Sequence, residues 1–424
     1  MISSIAFGLF GLAVLISVAL AFSQHKKSVD WKQIMAGVGL QIVFAVVVII
    51  VPGGREFFDA ISRVFVKIVD FALIGGQFIF GDLANADKFG FIFAFQVLPT
   101  IIFFASLMGV LYHIGVMQKI VQGMAWVMLK VLRVSGSESL SVAANVFIGQ
   151  TEAPLVVRPY IAKMTESELF TMMVGGMATI AGAVLAAYIA MLGGTDEAAR
   201  LFYARHLLAA SVMAAPATIV ISKLLRPETE ESLTKGTVHL DIEKSATNVI
   251  EAAANGAADG VKLSLNVAGM LLAFFALITM INYPLEWVGQ VTGIEELAGE
   301  TLSMSLILGY VLSPLAWIIG VPWSEAVIVG GLIGEKIVIN EFVAYLHLGQ
   351  IKDTLSTHSV LISTYALCGF ANFSSIAIQL GGIGGLAPNR RSDIARLGLR
   401  AVLGGTLATM MTATIAGVLT QFAA

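Results

Sequence analysis

The run Asn145-Val-Phe-Ile-Gly-Gln150-Thr151-Glu152-Ala-Pro154-Leu-Val-Val-Arg158 sets a carboxylate and three other polar side chains between apolar flanks. The chain around it is 57% hydrophobic and only 12% charged. A smooth helix cannot pass through Gly149 to Pro154, because Pro154 removes a backbone donor and disfavours the helical conformation at Ala153. The spacing predicts two short half-helices meeting at a polar tip. Irregular backbone at membrane depth survives only where it is buried in protein or lines a wet cavity. An ionisable residue there marks a functional site. A solvated loop is the plainer alternative, but the flanking runs are too short to span a bilayer separately.

Composition sets the class. A mean hydropathy of +0.88 over 424 residues, with 25 Lys+Arg and 28 Asp+Glu, excludes a soluble globule and indicates a polytopic α-helical membrane protein. The net charge of -3 points to no nucleic-acid partner. The single cysteine, Cys368, lies in an apolar run, cannot form an internal disulfide and reads as a small packing residue. No basic region precedes the apolar run Ile5 to Phe22 and no small-residue cleavage signal stands out, so it reads as a retained membrane helix.

Taken in order, helix 1 (about Ile5–Phe22) ends at His25-Lys26-Lys27, which places the N-terminus outside by the positive-inside rule. Helix 2 (about Ile34–Val51) stops at Pro52. Within Gly54 to Gly90, Phe57, Phe58, Ile61, Val64, Phe65, Ile68 and Phe71 recur at helical spacing against Asp59, Arg63, Lys67 and Asp70. That pattern predicts an amphipathic helix on the outer surface or along a subunit interface. Helix 3 (about Phe91–His113) goes inward, and Lys119, Lys130 and Arg133 then mark an interfacial cytoplasmic helix. The opening stretch, Ser137 to Lys163, has basic residues on its far flank too and reads as a re-entrant hairpin. Helix 4 (about Leu169–Leu192) is interrupted between Gly175 and Gly182, and helix 5 covers about Leu207–Leu224. Arg226 to Asn255 reads as a cytoplasmic loop with an amphipathic lead-in. Helix 6 (about Val261–Ile281) ends outside before Glu286, Glu295, Glu296 and Glu300.

From Thr301 the pattern repeats. Leu302–Ile319 is apolar but broken by Pro314, and Pro322 to Gly349 forms a second interrupted hairpin with Asn340-Glu341 at its tip. Helix 7 (about Leu361–Leu380) is broken between Gly369 and Ser375. Arg390, Arg391, Arg396 and Arg400 mark the cytoplasm before helix 8 exits to an outside C-terminus. The expectation is an all-α membrane protein of about eight transmembrane helices plus two re-entrant helical hairpins, in an inverted-topology repeat.

Breaks at the membrane midplane free backbone amides and carbonyls and expose the charged ends of half-helix dipoles. Gln150, Thr151, Glu152, Glu341, Asn372 and Ser375 offer amides, hydroxyls and carboxylates to a small hydrophilic solute. Two carboxylates favour hydroxyl donors, such as those of a sugar, or a cation over an anion. Oxygens of Asn145 and Thr179, with carbonyls freed near Ile148 and Ile180, suit a weakly held sodium ion. Plainer readings exist beside these. Thr179 and Ser375 can bond a carbonyl one turn back, and Asn145 can bond a neighbouring helix. Glu325 and Glu335 read as ion-pair partners of Lys336. The glycines from Gly381 to Gly385 read as close packing rather than a phosphate loop, and the six histidines form no metal-ligand spacing.

Four motifs carry a family likeness: Gly149-Gln-Thr-Glu-Ala-Pro154, Gly320-Val-Pro-Trp-Ser-Glu-Ala326, Asn340-Glu-Phe-Val-Ala-Tyr345 and Cys368-Gly-Phe-Ala-Asn-Phe-Ser-Ser375. The chain resembles the concentrative nucleoside transporters, in particular the bacterial sodium-coupled members, over essentially its whole length. The resemblance implies a homotrimer in the lipid of the inner membrane, importing nucleosides with sodium as co-transported ion and using no organic cofactor. It implies scaffold helices 1–3 with their interfacial helices in residues 1–134, a first transport repeat in 135–225, a loop and scaffold helix 6 in 226–300, and a second transport repeat in 301–424. Nucleobase contacts would come from Gln150, Thr151, Glu152 and Val184. Ribose contacts would come from Glu341, Asn372 and Ser375, with Phe370 nearby. Sodium would be held by the Asn145 and Thr179 side chains and the Ile148 and Ile180 carbonyls. Two residues depart from the pattern: Thr179 stands where relatives carry serine, and Ser324 where they carry asparagine. Two rival readings remain at this point. One couples transport to protons through Glu152 or Glu341. The other is an intramembrane enzyme using those carboxylates as an acid–base pair, although the sequence offers no nucleophile–His pair or metal motif.

Overall fold

The computed structural model describes residues 2–236, 246–293, 295–296 and 301–422, and the described residues are helical or irregular throughout. Glu300 and the middle of the expected polar loop lie outside these residues. The first scaffold elements are α1 (Ile2–Ala21), α2 (Trp31–Ile49) and α3 (Pro52–Phe80). Two short turns of helix, α4 (Ala86–Phe89) and α5 (Phe93–Gln96), lead into α6 (Leu98–His113) and α7 (Val116–Leu132).

The first hairpin begins at α8 (Gly136–Asn145), where Ser135 and Glu138 form a reciprocal capping box. It passes through an irregular tip and a 3-10 turn (Ala153–Val157) before returning as α9 (Arg158–Ile161). Its base is tied to the helices that follow: Ser137 Oγ donates to Glu168 at 3.1 Å, and buried Lys223 pairs with buried Glu138. Then come α10 (Glu166–Ala178), α11 (Gly182–Gly193) and α12 (Glu197–Leu225), followed after the loop by α13 (Val249–Thr292).

The second half repeats this order. It runs through α14 (Met304–Ile318), α15 (Trp323–Val338), α16 (Glu341–Ile351), α17 (Thr357–Leu367), α18 (Phe373–Leu386) and α19 (Arg391–Thr420). Thus α7 packs on α8 as α14 packs on α15, and each broken pair, α10/α11 and α17/α18, precedes a long unbroken helix. Helices α12 and α19 are buried for most of their length and pack on each other, so the core lies where the two repeats meet.

Among the described residues, eight helical stretches are long and apolar enough to cross a membrane, yet they are not the expected eight. Pro52–Ala84 joins the set, whereas helix 7 is split into pieces too short to qualify. In α3 the two aspartates turn inward, Asp70 pairing with Arg200 at 2.7 Å and Asp59 with Arg205 at 3.2 Å, both on α12, while Arg63 and Lys67 stay exposed. Its amphipathic pattern holds, with Phe57, Val64, Phe71 and Phe78 exposed on the opposite side.

Several boundaries differ from the hydropathy reading. Helix 6 spans 44 residues rather than about twenty, because Asn248 caps it well before the apolar run and Pro284 does not stop it. Helix 5 begins at Glu197, capped by Asp196. Pro314 does not break α14 either. The carbonyl that a proline strands lies four residues back, and here Ser313 Oγ donates to that Tyr310 oxygen at 3.0 Å.

Candidate functional site

Both broken helices open toward the hairpin tips. Helix α10 ends at Ala178, the backbone is extended at Thr179, and α11 restarts at Gly182, whose N–H donates to the Phe147 carbonyl of the first tip at 2.9 Å. In the second repeat two asparagines start the helices that face the site. Asn340 accepts from the Val343 N–H at 3.0 Å at the head of α16, and Asn372 accepts from the Ser375 N–H at 2.9 Å at the head of α18. Helix N-termini carry partial positive charge, which steadies the carboxylate of Glu341 in the first turn of α16.

The two breaks touch. Phe370 N–H donates to the Thr179 carbonyl at 3.3 Å. Gly369 makes the approach possible, because a Cβ there would sit 2.9 Å from the Met177 carbonyl oxygen. At Gly176, likewise, a Cβ would come within 2.8 Å of Gln150 Cβ. Glycine is required at both positions to let the first tip and the two breaks share one space.

In that space the expected solute-binding residues converge. Asn372 Nδ2 donates to Glu341 Oε2 at 2.9 Å, and Gln150 Nε2 donates to Ser375 Oγ at 3.0 Å, joining the first tip to the second break. Gln150, Glu341, Asn372, Ser375 and Val184 are buried and Phe370 is partly so, while Thr151 and Glu152 are exposed at the open side of the cluster. Two further residues belong here that sequence reasoning missed. Tyr188, one turn beyond Val184 on α11, donates to Glu341 Oε1 at 3.0 Å. Gln379 on α18 donates to Gln150 Oε1 at 3.1 Å and to the Met173 carbonyl at 2.9 Å, which fixes the orientation of the Gln150 amide. A lone amide within the apolar run of α18 was the available signal for Gln379. Tyr188 offered none.

Beside this cluster lies the expected ion site. Asn145 is 1% exposed and its Nδ2 donates to the Ser141 carbonyl at 2.9 Å, within its own helix, leaving a buried Oδ1 with no hydrogen-bond partner. Thr179 Oγ1 donates to the Gly175 carbonyl at 2.8 Å, the one-turn-back bond, and Gly175 itself lies against the Asn145 amide. The hydroxyl proton is thereby occupied while its lone pairs stay available. An unpartnered buried oxygen near such a hydroxyl fits a hard monovalent cation.

One pairing is corrected. Neither Glu325 nor Glu335 bonds Lys336: Glu335 meets His347 at 3.0 Å, and Glu325 accepts from the Ser356 N–H and Oγ at 2.9 and 2.7 Å. Adjacent helical residues point in different directions, and Glu325 lies eleven residues earlier, about 16 Å along the axis at 1.5 Å per residue. The Gly381–Gly385 run is close-packed only in part, with Gly382 against Thr151 and Gly384 against Arg391, while Gly381 and Gly385 face open space.

Comparison with known proteins fixes the family. Residues 206–417 match the model of the Na+ dependent nucleoside transporter C-terminus, residues 10–83 that of its N-terminus, and residues 94–195 a nucleoside-recognition gate domain. The chain belongs to the sodium-dependent (concentrative) nucleoside transporter family. An uncharacterized transporter of Bacillus subtilis, YutK, is 47% identical over 98% of this chain and 99% of its own length. Sodium/nucleoside cotransporter 1 of Mus musculus is 41% identical over 96% of the chain, which spans 63% of that longer protein. Among solved structures, CNTnw in an inward-facing substrate-bound state superposes with a TM-score of 0.88 at 44% identity, covering 98% of this chain and 99% of that one. A doubly substituted CNTnw in an outward-facing state gives 0.90 at 43% identity, covering 99% and 98%. These relatives are transporters, so the chain is a membrane transporter and the intramembrane-enzyme alternative falls.

Proposed function

We propose that this transporter imports nucleosides across the inner membrane together with sodium, by alternating access of a mobile domain built from the two repeats. The observation that carries the coupling is the unpartnered Asn145 oxygen beside the α10/α11 break, where Thr179 bonds the Gly175 carbonyl and Gly175 lies against the Asn145 amide. The site has no formal charge of its own, so sodium binds weakly alone. Its binding orders the first tip and the α10/α11 break and thereby lowers the cost of forming the nucleobase pocket of Gln150, Thr151, Glu152 and Val184. Glu341, Asn372 and Ser375 receive the ribose, with Phe370 nearby. Sodium is cargo here, and its ligands are the Asn145 and Thr179 side chains with the Ile148 and Ile180 carbonyls.

The driving force is sufficient. One sodium ion entering down about 100 mV yields about 2.3 kcal/mol, and a tenfold gradient adds about 1.4 kcal/mol. Together they sustain roughly 500-fold accumulation per ion at the thermodynamic limit. Residues 135–225 and 301–424 form the moving unit, residues 1–134 and 226–300 the scaffold, and the scaffold's exposed faces assemble a homotrimer, with both termini outside.

The test is uridine uptake into proteoliposomes with an imposed sodium gradient, an imposed proton gradient, or neither. Accumulation with sodium alone is the expected result. One rival has a specific feature to rest on: Glu341 is a buried carboxylate at the second tip whose hydrogen-bond partners, Tyr188 and Asn372, carry no charge. Uptake driven by acid and indifferent to sodium would replace sodium by that proton.

A further inference from the structure

The first repeat leaves an oxygen without a proton beside its break. The second repeat has a positive charge beside its break. Asn145 stands five residues before Gln150, and Lys336 stands five residues before Glu341. Lys336 is 0% exposed and reaches between α17 and α19, where its Nζ donates to the Ala366 carbonyl at 2.8 Å and to Thr409 Oγ1 at 2.9 Å. Ala366 lies in the last turn of α17, so its carbonyl is among those a helix end leaves free. Thr409 sends its own proton to the Thr406 carbonyl at 2.9 Å, as Thr179 sends its proton to Gly175. In both repeats, therefore, a hydroxyl turns only lone pairs toward the gap beside the break.

A buried ammonium is stable only where it is paired and hydrogen-bonded. Glu325 and Glu335 are bonded elsewhere. The tie from Lys336 to Glu341, the carboxylate at the ribose end of the site, runs through the break: the α17 end that Lys336 holds leads into Asn372, whose Nδ2 donates to Glu341 at 2.9 Å.

We propose that Lys336 is a covalently tethered cation that does for the second hairpin and the α17/α18 break what sodium does for the first hairpin and the α10/α11 break. It bridges the oxygens at the break, holds the α17 end against α19 and keeps Glu341 in place for a sugar hydroxyl. The inference rests on the sodium-coupled reading above and deepens it. The ribose half of the pocket stands assembled at any ion concentration, and only the nucleobase half waits for sodium. Lys336 is accordingly a positioning residue and has no contact with the nucleoside.

The test is uridine binding to the purified full-length transporter across a sodium titration at fixed pH and ionic strength. Lys336→Met keeps the apolar stem and removes the charge. It weakens uridine about tenfold or more, the size of a lost charged hydrogen bond, by the same factor at every sodium concentration, and it leaves sodium binding without uridine unchanged. Asn145→Leu behaves differently, since its loss shrinks as sodium rises. Thr409→Val removes one hydroxyl at nearly constant volume and shifts uridine in the same sodium-independent way by a smaller factor, so it carries the test should Lys336→Met fail to fold. Propylammonium added to Lys336→Ala restores part of the lost affinity, whereas 1-propanol does not. A sodium-dependent wild type matched by Thr409→Val and Lys336→Met overturns the tethered cation alone. So does a Lys336→Met defect that disappears at high sodium. Wild-type binding indifferent to sodium overturns the coupling reading instead.

Discussion

Glu341 has both oxygens occupied before any nucleoside arrives, by Tyr188 and Asn372 at 3.0 and 2.9 Å. On the proposed assignment a ribose hydroxyl joins an oriented carboxylate, and the cost of aiming it has been met by packing. Glu341→Gln removes a charged acceptor, and losses of about 1.5–3 kcal/mol, roughly 10- to 150-fold, are expected in uridine affinity. Deoxy analogues lacking the contacted hydroxyl are less affected, and equal losses for every analogue would remove the ribose role. Tyr188→Phe keeps the ring against Tyr345 and deletes one donor, so a smaller loss of the same kind is expected in the same binding assay. Asn145→Leu raises the sodium needed for half-maximal uridine binding, because linkage ties the two affinities together. The tip residues were legible because proline and glycine announce a break and polar groups beside a break stand out. Tyr188 and Gln379 were not legible, because they sit inside unbroken helices and reach the site only once the repeats pack together. The expected pairing of Lys336 fails because proximity in sequence suggests partners that helix geometry turns away.

Among the helices, Pro314 departs from expectation, and Pro284 likewise stops no helix. Both lie inside continuous helices, and at Pro314 a neighbouring serine supplies the missing donor. Ser313→Ala leaves the Tyr310 carbonyl without that bond and should lower the melting temperature of the purified protein, at a cost of about 1–3 kcal/mol. Pro314→Ala should not, and equal effects would assign the change to packing. Helix ends were less legible than helix existence, because hydropathy marks the edge of a bilayer while backbone hydrogen bonds continue past it to a cap such as Asn248. The hairpins also make a topological claim. Cysteines placed at Arg133, just ahead of Ser137, and at Lys163 should label from one face and those at Trp323 and Gln350 from the other, with Cys368 buried and silent. Labelling of either pair from opposite faces would turn that hairpin into a true span.

Across the whole molecule, the repeat was legible because its two halves carry the same succession of breaks, whereas the face proposed to meet other copies shows only an apolar periodicity. On α3, Phe57, Val64, Phe71 and Phe78 recur every seven residues and are 61%, 58%, 50% and 91% exposed. A seven-residue apolar seam suits packing against a neighbouring helix, which supports the proposed trimer. Phe71→Glu with Phe78→Glu should reduce the measured oligomer mass in detergent, while a Phe78→Leu control leaves it intact. The Phe370 to Thr179 hydrogen bond has a consequence on the same scale. It makes the two interrupted helices a single joint, so neither half of the pocket can travel without the other. In the proposed moving unit cargo and ligands then cross as one body, and the friction of the step falls on the seam between that body and its frame rather than on the binding contacts. Turnover should thus vary with the stiffness of the surrounding bilayer while the dissociation constants for uridine and sodium stay where they are.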